Sequence, residues 1–98
     1  MLNSKDINET LQRHLCALRD QYGIARIGLF GSFVRGDQHP NSDIDLLVEF
    51  ARPVGLFKFM ELENQLSELL GGKVDLVTRN ALKPHIGKRI LDEVKYVN

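Results

Sequence analysis

The sequence has one cysteine, Cys16, and no surplus of either charge: 13 lysines and arginines balance 13 aspartates and glutamates. A lone cysteine forms neither an internal disulfide nor a multi-cysteine zinc site, so a reducing compartment is the natural reading. Charge balance removes the basic excess of a dedicated nucleic-acid binder, leaving no strong nucleic-acid signal. No apolar run is long enough to span a bilayer. The N-terminus, Met1-Leu2-Asn3-Ser4-Lys5-Asp6, lacks the charged-then-apolar layout of a signal peptide. These absences predict a cytoplasmic protein with no membrane partner. Repeats, linkers and low-complexity segments are missing too. The 98 residues suffice for one domain, residues 1–98, around one modest core.

What is present is a set of short, well-punctuated elements. Asn3 and Ser4 suit a helix N-cap, and Ile7, Leu11, Leu15, Leu18 and Tyr22 recur at helical spacing up to Gly23. This predicts an amphipathic helix over 4–22, with Cys16 in its packing and His14 at its surface or boundary. Residues 24–30 read as strand one. Residues 32–37 read as one or two helical turns with Ser32 at the cap, and 38–42 as a loop marked by Pro40-Asn41. Residues 43–50 read as strand two, central and covered on both faces. Leu62, Leu66, Leu69 and Leu70 put a buried stripe on a helix running to Gly71-Gly72. Residues 73–78 form strand three, 79–86 a connection, and 86–94 a short helix or turn. Lys95-Tyr96-Val97 is a tail with the makings of a small strand. The expected fold is α/β of the α+β type: a small mixed three-stranded sheet with helices packed on it, in the order α-β-α-β-α-β-α.

The run from Gly28 to Glu49 organises the rest. An apolar strand ends in Gly31-Ser32, and Asp43 and Asp45 stand at alternate positions at the mouth of the next strand. Side chains two apart on a strand share a face. The link between strands one and two is short, which suits an antiparallel pair. Strands two and three are joined by more than twenty residues containing a helix, the pattern of a parallel, right-handed crossover. That topology brings the end of strand one and the starts of strands two and three to one sheet edge. Gly31-Ser32, Asp43, Asp45 and Asp75 meet there.

Taken singly, each piece has an ordinary explanation. Gly-Ser is commonly a turn, Asp-x-Asp a loop exit, and Arg35 a surface ion pair. Asp75 carries more weight, because a carboxylate within an apolar strand is costly without a partner. In combination they suit metal-dependent handling of a nucleoside triphosphate. Magnesium takes one or two carboxylates together with phosphates and water. Asp43 and Asp45 supply the carboxylates, and Asp75 a second metal site or a proton acceptor. Gly31 lets backbone approach a phosphate, with the Ser32 hydroxyl and Arg35 as donors. The pattern is neither a P-loop nor a dinucleotide fingerprint.

Gly31-Ser32, ten intervening residues and Asp43-Ile44-Asp45 resemble the signature of the minimal nucleotidyltransferases, within the DNA polymerase β-like superfamily. Three longer stretches extend the likeness over nearly the whole chain. These are Gly31-Ser32-Phe33-Val34-Arg35-Gly36, Lys73-Val74-Asp75-Leu76-Val77, and the ending from Leu82-Lys83-Pro84 through Arg89-Ile90-Leu91 to Tyr96-Val97. The resemblance implies a polymerase β palm-like core. Gly31 and Ser32 would bind nucleotide phosphates, and Asp43, Asp45 and Asp75 would be catalytic and hold Mg²⁺, two ions in all. It implies transfer of AMP from ATP to a hydroxyl, and an antitoxin role beside a small all-helical HEPN-domain toxin.

A chain spent wholly on a catalytic core leaves the acceptor surface to a partner or to a second copy of itself. Exposed parts of the first and third helices, or the basic segment with Lys83, His85, Lys88 and Arg89, are candidate contact surfaces. The competing reading is a binding-only antitoxin that occludes its partner with a weak or inactive site. Transfer to a small molecule requires an acceptor pocket that so short a chain does not build unaided.

Overall fold

The structure, a computed structural model, describes residues 3–39 and 41–97. Pro40 of the predicted loop lies outside the described residues. Helix α1 (Ser4–Tyr22) starts at Asn3, whose side chain accepts the Asp6 N–H at 2.8 Å. It stops at Gly23, where φ is +70°. Its buried stripe is Ile7, Leu11, Leu15, Leu18 and Tyr22, as the spacing predicts. Next come β1 (Ile24–Phe30), the four-residue α2 (Ser32–Arg35), β2 (Ile44–Phe50) and α3 (Leu56–Leu70). The chain continues through β3 (Val74–Thr78), a 3-10 turn (Arg79–Ala81), α4 (Pro84–Glu93) and β4 (Lys95–Tyr96).

The sheet order is β3-β2-β1-β4. Strand β1 runs antiparallel to β2, and β2 parallel to β3 across the α3 crossover, as expected. Ile44, Leu46 and Val48 of β2 join Ile27 and Leu29 of β1 and the stripes of α1 and α3 in one apolar cluster. Leu47 points the other way and is also fully buried. Both faces of β2 are therefore covered, which explains an apolar strand with no regular polar alternation.

Several expectations are corrected. The sheet has four strands, not three: Gly28 and Leu29 of β1 pair with Tyr96 and Lys95. Two residues carry no periodicity, and only the neighbouring edge of β1 makes them a strand. Glycine at position 28 leaves room for this, since a Cβ there would press on Val94 and Tyr96. Helix α4 starts at Pro84 rather than at residue 86; proline suits the first turn, where its missing N–H costs nothing. Ser32 does not cap α2. Gly31 holds the cap position, no side chain bonds there, and Ser32 is the first helical residue. Cys16 is exposed rather than packed.

Candidate active site

Strand register assembles the site. Asp45 of β2 stands opposite Phe30 of β1 on one side and Asp75 of β3 on the other. Gly31 follows Phe30 directly, so the Gly31-Ser32 turn and two carboxylates lie side by side across three strands. Asp43 sits just ahead of β2 rather than within it, two residues before Asp45. All the residues predicted to converge do so at this edge. One premise is corrected: Asp75 is exposed, because its strand lies at the edge of the sheet, so it needs no buried partner.

Gly31 has φ +80° and ψ −152°, a region essentially reserved for glycine. A Cβ there would overlap Asp45 Oδ2. The turn is thus packed directly on the half-buried Asp45 carboxylate. That carboxyl is pushed up to about 6, first by burial and then by the negative charges of Asp75 and Asp43; Arg35 opposes the shift and Glu93 adds to it. Asp45 therefore senses both other aspartates, and the cluster carries uncompensated negative charge.

An all-oxygen donor set with excess negative charge fits a hard divalent cation. No group of three or more His, Cys, Asp or Glu side chains among the described residues is arranged to cage a metal by itself. Magnesium does not require such a cage, since phosphate and water complete its octahedron.

Arg35 is half-exposed and bound to carboxylates. Its Nη1 donates to Glu93 Oε1 at 2.8 Å and its Nε to Asp37 Oδ2 at 3.3 Å. Glu93 also accepts the Gly31 N–H through Oε2 at 2.9 Å. Burial would raise the Glu93 carboxyl, but the Gly31 N–H and Arg35 outweigh it and hold the group below its usual range. Sequence reasoning missed Glu93. It lies 62 residues beyond Gly31, on α4, and no local pattern links the two.

An open cavity of about 480 Å³ borders Asp43, lined by Phe33, Gln38, Ser42, Ile44 and the Gly71–Lys73 turn. A larger one of about 900 Å³ lies against Phe50, Phe59 and Thr78, at the opposite ends of β2 and β3 from the aspartates. Of the clustered aspartates, only Asp43 lines the smaller opening, and none lines the larger one.

A Gly-Ser turn, an Asp-x-Asp strand entry and an aspartate on the adjacent parallel strand thus share one edge of the sheet. The nucleotidyltransferase domain family model matches residues 11–97, and the chain belongs to that family. It is 46% identical to the protein adenylyltransferase MntA of Thermococcus cleftensis over 97 residues, covering 99% of this chain and 98% of that one. A solved structure described as a minimal nucleotidyltransferase superposes with a TM-score of 0.80 at 30% identity, covering 96% of this chain and 95% of the other. A toxin–antitoxin structure solved with AMP-PNP superposes at 0.75 and 30% identity, covering 91% and 70%. Among the described residues no helix is long and apolar enough to cross a membrane.

Proposed function

We propose that this chain transfers AMP from ATP to a hydroxyl on a HEPN-type partner toxin and so acts as its antitoxin, in the cytoplasm, with residues 1–98 forming one catalytic domain. The observation that carries the reading is the register that sets Phe30, Asp45 and Asp75 abreast, with Gly31 next in the chain and packed on Asp45. The relationship to an adenylyltransferase and to an AMP-PNP-bound toxin–antitoxin structure supports the donor and the partner.

Asp43 and Asp45 would hold Mg²⁺, with Asp75 as the third ligand to a pair of ions. When bound, the metal neutralises triphosphate charge and the charge developing on the leaving group. Gly31 provides close backbone approach, while Ser32 Oγ and the Arg35 guanidinium donate to phosphate oxygens. The acceptor oxygen attacks the α-phosphorus. A bond forms from that oxygen to phosphorus, the bond from the α-phosphorus to the bridging oxygen breaks, and pyrophosphate leaves. Asp75, exposed at the mouth of the site, takes the proton from the acceptor hydroxyl.

The test uses ATP labelled at either phosphate. With Mg²⁺ and the partner, α-label should pass to the partner protein, and γ-label should appear only in pyrophosphate. Transfer of γ-label would mean phosphorylation and overturn the reading.

A further inference from the structure

We infer that Glu93 is a positioning residue for nucleotide binding: its two carboxylate oxygens hold the phosphate turn and Arg35 in place from the far end of the chain. The inference rests on the proposed donor site and adds a residue to it.

The geometry divides the work between the two oxygens. Oε2 accepts the Gly31 N–H at 2.9 Å and so fixes the peptide plane that enters the turn. With that N–H occupied, phosphate donors come from beyond it, from Ser32 and Arg35. The same peptide plane seats the Gly31 Cα against Asp45, where no side chain has room. Oε1 accepts from Arg35 Nη1 at 2.8 Å. The other carboxylate on Arg35 is Asp37, whose side chain is 61% exposed, against 22% for Glu93. Without Glu93 the guanidinium would be held only by that more exposed partner, and its tie to the Gly31 N–H acceptor would be gone. With it, Arg35 stays beside Gly31 and remains 48% exposed, open to a phosphate.

Glu93 is itself anchored. It is the last residue of α4, and the strand that follows, β4, is hydrogen-bonded to β1 two positions before the turn begins. The C-terminal segment thereby acts as a splint along the strand that delivers the phosphate turn.

The alternative is a stand-in, in which the Glu93 carboxylate occupies an anion position and leaves when triphosphate arrives. The two readings predict opposite signs. Positioning predicts weaker nucleotide binding when Glu93 is removed, and a stand-in predicts tighter binding.

The experiment measures Kd for MgATP by calorimetry and KM for ATP in the transfer assay, with thermal melts alongside, for wild type, Glu93→Gln, Glu93→Ala, Arg35→Ala and the Arg35→Ala/Glu93→Ala double variant. Loss of both charge-assisted bonds in Glu93→Ala should weaken MgATP binding roughly tenfold or more, with a smaller fall in kcat. Glu93→Gln keeps the size and one good acceptor oxygen and should fall between the two. In the Arg35→Ala background the Glu93→Ala effect should shrink, because part of it runs through Arg35.

If both Glu93 variants bind MgATP within about twofold of wild type, whatever their melting temperatures, the inference is overturned. Tighter binding in either variant overturns it in favour of the stand-in. If Glu93→Ala fails to fold, Glu93→Gln and the Arg35 comparison carry the decision. Wild-type protein that binds no MgATP would instead refute the nucleotide site itself, a result distinct from failure at Glu93.

Discussion

Asp45→Asn is expected to lose AMP transfer by roughly 10³-fold or more while melting above wild type at about pH 7.5. The activity loss follows from removing the central carboxylate of the set proposed to hold metal. The gain in stability follows from electrostatics. The folded carboxyl sits at about 6 against an ordinary 3.8, raised by burial and by the charges of Asp75 and Asp43. A raised carboxyl means the folded state binds the proton more tightly than the unfolded state does. The stability this supplies is complete below about pH 4 and is lost as pH climbs through 6. At neutral pH ionised Asp45 is thus a net burden on the metal-free fold, on the order of 1 kcal/mol once partial solvent screening is allowed for.

Asparagine removes that burden at a cost of almost no shape. Paired melts of the two proteins across the pH range should show a gap of several degrees at neutral pH, closing toward about pH 4. Saturating MgATP should reverse the order, since only wild type gains stability from the ligand. A variant that melts below wild type at neutral pH without ligand would contradict this description of the cluster.

Gly31→Ala should be the most damaging small substitution in the chain. Two costs add. Alanine must adopt φ +80° and ψ −152°, worth about 1–3 kcal/mol of strain. Its Cβ must also displace the Asp45 carboxylate, whose Oδ2 and Cγ lie within overlap distance. The expected result is a fall in melting temperature of roughly 10 °C or more, together with loss of transfer. Gly36→Ala is the internal control. Gly36 also has positive φ, at +81°, but a Cβ there meets nothing within 4 Å. It should cost only the backbone strain, about 1–2 kcal/mol, and keep most activity. Equal damage at both positions would show that conformation alone matters at Gly31, and that its contact with Asp45 does not.

Much of this was legible in the chain because local chemistry and tertiary position agree. Tyr22-Gly23 and Leu70-Gly71 are helix stops that depend only on glycine reaching positive φ, and both hold. The β2–β3 crossover is long because parallel strands require it, and that alone carries Asp75 to Asp45. Elements set by distant partners were legible only in part. Lys95-Tyr96 has the makings of a small strand, but its place beside the open edge of β1, as a fourth strand of the sheet, depends on that partner. The exposure of Asp75 depends on β3 being the outer strand. The role of Glu93 depends on α4 returning to the turn that ends β1. Cys16 lies beside the apolar stripe of α1, where a small residue falls on either side of the boundary and only the packing of the helix decides which.

On this mechanism the partner is modified by the chain and not merely covered. Intact-mass spectrometry tests it on partner protein co-produced with wild type or with an Asp43→Ala/Asp45→Ala variant. Partner should carry whole AMP increments with wild type and none with the variant. Partner that is neutralised equally in both cases, with no added mass in either, would contradict it and leave occlusion as the mechanism.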